Sequence, residues 1–589
     1  MGVSLNGQRG ILLTRLVPVI YAGLAFALFH AAWADPTRRL VGGCCDSPAP
    51  LWFLQWVGYA ILHGQDPLFT HFVGLPTGVN VMWQPPAMPI IGLAVTPVEF
   101  VFGPFVTYNL VATLALALSS WACYFALRRW VGGTGAPFLG GLLYGFSPFM
   151  AAQSLGHPAL TVAFVAPLFL LVLTDILAYR RWPVWRSGVT LGALAAVQFL
   201  ISQEGFAIMV IGAALVTGLL AVLRPRAAVA RLRPTAIGMA LGTAVCLVVL
   251  ALPLLMEFLG KEQLHGLLRP QNTFVTDLAN LVLPNPVVAQ WSPFNGAYVL
   301  HWQWDVAEAG AFLGPFLIIV LATVVATRRR ELRVQVAALA AAAMLVLSLG
   351  PSLHVAGRDL GVPLPWVLFE RLPLLDNLLP VRMTGIFFVG VAVLVAEGVH
   401  AVQGWRSGWR RAAGTAGIIA ALVPLVPVAA YQAWTPVVPS FFRSARASEL
   451  PRDGVVFVVP FPRDQPDDVT PMLWQALTGL RFRMPGGYVF LPAPGGNGLG
   501  VTGGTPNALT ARLDAIAGGS HVLGPTKAEA AVLRSILLHT YHPVAVVVGP
   551  MPHEGLAVRL MSQVLGKPPT WSGGVALWLG TAGGSPARR

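Results

Sequence analysis

The first residues with chemical capacity lie between positions 42 and 83, in the run GGCCDSPAPLWFLQWVGYAILHGQDPLFTHFVGLPTGVNVMW. Asp46 opens it, an amphipathic segment carrying tryptophans follows, and His63, Gln65, Asp66, His71 and Asn80 gather behind that segment. A carboxylate can take a proton, and a histidine near neutral pH can act as acid, base or phosphate donor. Histidines such as His63, or His157 in Gly156-His157-Pro158, more often serve as satisfied hydrogen-bonding residues. Asp35 is the rival carboxylate, with helix-end capping or plain solvation as its other reading. Glu204 follows Ser202 and Gln203 in a tight turn, and Arg382 stands where a long loop meets an apolar run. Lys261, His265 and Arg269 form a basic set whose spacing suits a phosphate or diphosphate, and suits lipid head groups equally.

The elements that must position these residues are membrane spans. The 589 residues are 56% hydrophobic and 11% charged, with a mean hydropathy of +0.69; soluble domains carry roughly 25% charged residues. Apolar runs long enough to cross a ~30 Å hydrocarbon core recur through about the first 430 positions. The net charge of +14 raises the question of nucleic acid, and the placement of the basic residues answers it. Arg9 and Arg15, Arg128 and Arg129, Arg180 with Arg181 and Arg186, Arg224 to Arg233, Arg328 to Arg333, and Arg406 with Arg410 and Arg411 fill every second loop. That alternation is the positive-inside pattern, so the charge reports topology and no nucleic-acid partner is expected.

Run length and arginine alternation together place about eleven spans, near 14–33, 105–127, 134–150, 158–178, 187–203, 205–223, 235–257, 306–326, 334–350, 383–399 and 413–431. The first run has a basic flank but no small-residue cleavage site, and reads as a retained helix. An odd count with a cytoplasmic N-terminus puts the C-terminus outside. The polytopic region, 1–431, then carries three long outside loops, 34–104, 258–305 and 351–382, each with tryptophans, prolines and short apolar stretches typical of helices lying in the interface. Function concentrates on loops held by a rigid scaffold, so the outer face is the expected working face. From 432 to 589 the pattern changes: 455–462, 544–550 and 574–580 read as buried strands, and 508–517 and 526–540 as helices. This is a small extracytoplasmic α/β domain. Its glycine- and proline-rich segment 485–506 is either a loop over a site or a plain surface loop. Cys44, Cys45, Cys123 and Cys246 supply no metal or disulfide framework.

The layout resembles that of the GT-C superfamily of integral membrane glycosyltransferases, which use lipid-linked sugars and place an essential acidic residue in the first outside loop. The residues carrying the resemblance are D-S-P-x-x-x-W-F-L-x-W from Asp46, H-G-Q-D-P-L-F-T at 63–70, P-T-G-V-N at 76–80, G-F-S-P at 145–148, G-H-P at 156–158 and L-P-V-R at 379–382. They are similar to a poorly characterised bacterial group of that superfamily and to the YfhO-like membrane proteins. The resemblance implies an all-α membrane fold of GT-C-like arrangement, a plasma-membrane location, a polyprenyl-phosphate-linked sugar as donor, membrane lipid around it, and an envelope glycan or glycolipid as acceptor. It also implies a general base, with Asp46 favoured over Asp35 and Glu204 as a second carboxylate. Negative charge developing on the departing phosphate calls for donors; Arg382 is the first candidate, with snorkelling to the head groups as the other reading. His63, Asp66, His157, Lys261, His265 and Arg269 are further binding candidates. Trp302, with Trp304 in HWQWD, could stack on a sugar face, though an interfacial aromatic belt explains both equally.

Some enzymes of that superfamily use a divalent metal, but the paired acidic motif expected of those is missing near Asp46, so no cofactor is indicated. No G-x-x-x-x-G-K-[ST], H-E-x-x-H or G-x-G-x-x-G opening a soluble βαβ unit occurs, so nothing points to a nucleotide-driven pump or a membrane zinc protease. The alternative reading is a transporter or flippase for a lipid-linked envelope precursor. Transporters commonly carry internal repeats, and none is visible in this chain.

Overall fold

Backbone N–H and C=O groups in a bilayer must be satisfied within the chain, so apolar runs of this length fold as helices. The computed structural model describes residues 2–43, 46–288, 306–428, 433–463, 469–492, 501–504, 506–520 and 524–581, with side chains from 14 onward except at 501–502. Among them, six helices are long and apolar enough to cross a membrane: Pro89–Trp130, Pro158–Tyr179, Val184–Ile201, Gln203–Leu223, Pro225–Val249 and Pro380–Gln403. Three shorter apolar helices occupy Thr14–Leu28, Gly314–Arg328 and Leu332–Ser348. At 134–150 the expected span is two pieces, Gly135–Gly145 and Pro148–Gln153, and near 413–431 a helix runs Gly408–Leu422. The longest helix departs from helical geometry at Gly103, directly before Pro104. Proline lacks the N–H and crowds the residue before it out of the α region, which accounts for the break.

The chain divides into two compact units, each assembled from separated stretches: 1–35, 109–251 and 270–433 in the first, and 36–108, 252–269 and 434–589 in the second. In the first unit, two small-residue motifs meet. Gly188 and Gly192 on one helix face Gly238 and Gly242 on another, and a Cβ added at Gly192 would lie 2.3 Å from the Gly242 carbonyl oxygen. Lipid tails are as apolar as leucine, so such close backbone approach, rather than the hydrophobic effect, holds membrane helices together. Outside the helices, Asp277 accepts backbone N–H bonds from Ala279, Ala356 and Gly357 at 2.7–2.9 Å, tying the second long loop to the hairpin Ser352–Val355/Arg358–Pro363 of the third.

The second unit contains a four-stranded sheet in the order Thr570–Ser572, Val575–Leu579, Ala545–Val548, Val456–Val459. The last two strands are parallel and the other pairings antiparallel, with the two-residue turn Gly573-Gly574 closing the hairpin. Phe457, Val459, Val546, Val548 and Trp578 on the strands pack with Leu509, Leu513 and Met561 on the helices Ala508–Ala517 and Glu554–Leu565. Strands therefore appear at all three positions where the sequence places them, while the helix Glu554–Leu565 and the edge strand Thr570–Ser572 are additions.

The tryptophan-bearing segment of the first long loop differs from the interfacial expectation. It forms the helix Pro48–Leu62, which is buried on nearly every face and packs on the helix Thr470–Leu477. Trp52 and Trp56 stack at 5.6 Å between centroids; Trp52 Nε1 donates to Gln475 Oε1 (2.5 Å) and Trp56 Nε1 to the Pro67 carbonyl (3.2 Å). An indole with its N–H satisfied inside the protein has no need of the head-group layer.

The Gly192 contact is testable. Gly192→Leu forces the two helices apart and lowers stability by about 3 kcal/mol or more, since overpacking against backbone has no side chain to yield. Gly218→Leu, at a site with nothing within 4 Å, leaves the thermal midpoint of the detergent-solubilised protein unchanged.

Candidate functional site

Two polar clusters form from the candidate residues, one in each unit. In the first unit, several helix ends converge on Arg382. This residue lies in the 3₁₀ turn Pro380–Met383 that leads into the helix Thr384–Gln403. Its Nη2 and Nε contact Glu308 Oε1 at 2.6 and 3.1 Å, and its Nη1 pairs with Glu204 Oε2. Glu204 sits in the first turn of Gln203–Leu223, which Ser202 caps by accepting from the Gly205 N–H at 3.0 Å. A carboxylate there also meets the positive end of the helix dipole. Glu308, in the 3₁₀ turn Val306–Glu308, accepts from Gln153 Nε2 at 2.9 Å, and Gln153 Oε1 lies 2.7 Å from His157 Nδ1.

Side-chain exposures of 11% for Arg382, 17% for Glu204 and 4% for Glu308 make this an ion network largely withdrawn from solvent. Glu204, His157 and Arg382 are thus brought together, and Arg382 faces two carboxylates. Its charge is matched inside the protein, and it does not reach outward as a snorkelling side chain would. Glu308 and Gln153 complete the network without having been singled out from the sequence. The available signal for Glu308 was its type: an acid in the apolar stretch Val306–Leu313 is expensive unless paired.

In the second unit, Asp46 lies just before the helix Pro48–Leu62, half-buried, and its Oδ1 accepts a 2.7 Å hydrogen bond from Tyr488 Oη. The neighbouring Ser47 Oγ accepts from Tyr108 Oη at 3.0 Å. Tyr488 belongs to the glycine-rich segment, whose described part is stitched to residues 72–84. Met484 N–H donates to the Phe72 carbonyl (3.0 Å), Gly74 N–H to that of Gly486 (2.7 Å), and Gln84 exchanges two bonds with the Phe490 backbone (2.8 and 3.0 Å). Gly486 is required here: its φ is +74°, and a Cβ would come within 2.7 Å of the Pro462 carbonyl oxygen. Residues 485–492 are therefore a packed ribbon; 493–500 and 505 lie outside the described residues.

The remaining candidates have local engagements. His63, exposed at the end of Pro48–Leu62, stacks on Tyr59 at 4.0 Å with its Nδ1 2.9 Å from the Tyr59 carbonyl. Asp66 accepts from the Leu68 N–H in a tight turn. Desolvation, with Arg483 and Lys261 nearby, holds the His71 imidazole below its usual value. Asn80 donates to the carbonyls of Met256 and Lys261, which anchors the segment bearing Lys261; the Lys261 and His265 side chains are exposed. Arg269 lies 6.0 Å from the Phe490 ring centroid. Asp35 follows the short helix His30–Trp33 in the first unit. Trp302, with Trp304, lies outside the described residues. Among the described residues no group of three or more His, Cys, Asp or Glu is placed to hold a metal ion.

No protein-family model matches the chain, and no curated protein matches it in sequence. The fold is nonetheless similar to that of two solved glycosyltransferase structures. The cryo-EM structure of the arabinofuranosyltransferase AftD from Mycobacteria matches with a TM-score of 0.55 at 14% identity, over 96% of this chain and 40% of that one. The crystal structure of the Archaeoglobus fulgidus oligosaccharyltransferase tethered to an acceptor peptide matches at 0.50 and 14% identity, over 91% of this chain and 68% of that one. The chain thus spans well under half of AftD.

The Arg382 network predicts a severe response to single truncation. Arg382→Gln leaves Glu204 and Glu308 without their cation and costs about 3–5 kcal/mol, read as a lowered thermal midpoint in detergent. Arg382→Gln/Glu308→Gln recovers part of that loss, and Arg329→Gln at an exposed position changes nothing.

Proposed function

We propose that the chain is a membrane glycosyltransferase that moves a sugar from a polyprenyl-phosphate donor to an extracytoplasmic envelope acceptor. Asp46 is the general base in this reading. The observation that carries it is the Asp46–Tyr488 hydrogen bond at 2.7 Å, which fixes a half-buried carboxylate of the first long loop at the start of a helix. In the reaction, the acceptor hydroxyl gives its proton to Asp46 as its oxygen bonds to the anomeric carbon. The bond from that carbon to phosphate oxygen breaks, and the electron pair leaves with the phosphate. The leaving group is already activated, so positioning and one base are the protein's chief contributions.

The Tyr488 hydroxyl steadies the carboxylate, holding it in one orientation toward the acceptor. Lys261, His265 and Arg269 are the basic side chains assigned to the donor phosphate, because Arg382 is already matched by two carboxylates. The topology that goes with this reading is about eleven spans in the plasma membrane, a cytoplasmic N-terminus, and residues 432–589 on the extracytoplasmic side. The likeness to solved glycosyltransferases supports the reaction class.

The test is sugar transfer in proteoliposomes from a panel of polyprenyl-monophosphate sugars labelled in the sugar. General-base removal costs about 10²- to 10⁴-fold, so Asp46→Asn loses turnover on that scale while donor binding and protein level persist. Tyr488→Phe removes one hydrogen bond to a charged group, worth about 1.5–3 kcal/mol, and lowers turnover by about 10- to 100-fold with KM little changed. Full activity in Asp46→Asn, with Asp35→Asn inactive, would transfer the role to Asp35. Absence of transfer by the wild type from every donor, with one of them crossing the bilayer, would overturn the enzyme reading.

A further inference from the structure

The first unit also holds a cavity of about 110 Å³, partly open, among the helices Val165–Thr174, Gln203–Leu223, Leu332–Ser348 and Thr384–Gln403. Its walls are apolar, including Leu170, Val216, Ala340, Met344, Ile386 and Val389. Its polar lining residues, Trp130, Thr174, Tyr179 and Arg333, all stand at helix ends, which we take as its rim. The volume approaches that of the roughly 150 Å³ apolar cavities that stay dry and admit an apolar guest. For a cavity among membrane helices, the guest at hand is hydrocarbon chain, and filling the space restores dispersion contacts that the lining side chains otherwise lack.

The rim specifies the head group. Arg333 Nε lies 3.1 Å from Glu397 Oε1, and Arg328 Nη2 lies 3.4 Å from Glu397 Oε2. Glu397 is 0% exposed and is engaged by charge without an aligned hydrogen bond. One buried carboxylate is thus shared by two arginines. The run Arg328-Arg329-Arg330-Glu331-Leu332-Arg333 adds two more cations and one exposed acid. Arg181 stacks 4.7 Å over the Tyr179 ring and donates to the Arg129 carbonyl, so the Tyr179 side of the rim carries positive charge as well. An apolar bore with a cationic rim fits a chain ending in an anion.

We infer that this cavity binds one chain of a lipid carrying a phosphate head group, the chain lying against Ala340, Met344 and Val389 and the phosphate at Arg333. A bilayer phospholipid and a polyprenyl phosphate share that chemistry. The cavity shares no lining residue with the Arg382 network, and the inference stands whether or not the transferase reading holds.

The test uses the full-length protein in phosphatidylcholine nanodiscs, each doped with one diazirine-bearing probe: phosphatidylglycerol, a polyprenyl monophosphate, or phosphatidylcholine as the neutral control. Adducts are mapped by peptide mass spectrometry. The expected result is labelling of the Leu332–Ser348 and Thr384–Gln403 peptides by an anionic probe at least about fivefold above the neutral one. That labelling falls to the neutral level in Ala340→Phe, which fills the bore, and in Val216→Phe, which fills it from the opposite wall. It weakens in Arg333→Gln/Glu397→Gln, which removes a cation without orphaning the acid. Labelling by phosphatidylglycerol identifies a bilayer lipid, and labelling by the polyprenyl probe alone identifies the prenyl phosphate. Equal labelling by anionic and neutral probes, or labelling that survives in both filled variants while their thermal midpoints stay at the wild-type value, would overturn the inference.

Discussion

The first unit depends on a single buried cation. Arg382 is held by Glu204 and Glu308, and through Glu308 by Gln153 and His157, so that the starts of several helices are fixed to one guanidinium. A charge at this depth has no solvent to stabilise it and persists only because its partners supply what water would. The constraint is directional. A planar guanidinium donates to two carboxylates in set geometry, so the segments bearing them are fixed in rotation as well as in distance.

Close backbone packing complements that network. The Gly188/Gly192 and Gly238/Gly242 pairs bring two helices nearer than any side chain would allow, and small residues of this kind carry association where lipid offers no hydrophobic driving force. Polar convergence at the helix ends and small-residue contact along their length are two solutions to the same problem, the absence of water. The cavity near Arg333 is the place where we infer that a lipid chain completes the packing.

In the second unit the organising contact is aromatic and amide rather than ionic. Gln475 accepts from Trp52 and donates to the carbonyls of Phe72 and Phe482. It joins the first long loop to the segment 475–482 with both side-chain polar atoms satisfied in a buried setting, where an unpaired one is costly. The Asp46–Tyr488 pair rides on this framework. Its two residues are 442 positions apart, yet each is placed by rigid neighbours: the helix Pro48–Leu62 on one side, and on the other a ribbon that glycine allows to pass close to Pro462.

By itself the sequence determined the solvent and the class of chain. Run length located the long apolar helices, because the hydrophobic thickness of a bilayer acts on each segment separately. The strands at 456–459, 545–548 and 575–579 were legible for the same reason, since period-two and buried-run patterns are local. Glu204 and Arg382 were legible as charged residues at the edges of apolar runs, His157 as a polar residue in a Gly-His-Pro break, and Asp46 by its small, proline-bounded neighbours and the resemblance. What they touch was not. Glu308 and Gln153 in the first unit, and Tyr488 and Gln475 in the second, became visible only in the fold. The burial of Trp52 and Trp56, expected at an interface, was decided there too. Which polar groups meet in an interior depends on contacts between segments hundreds of residues apart, and no local pattern encodes that choice; it is made when the helices close and each buried donor must find the acceptor within reach.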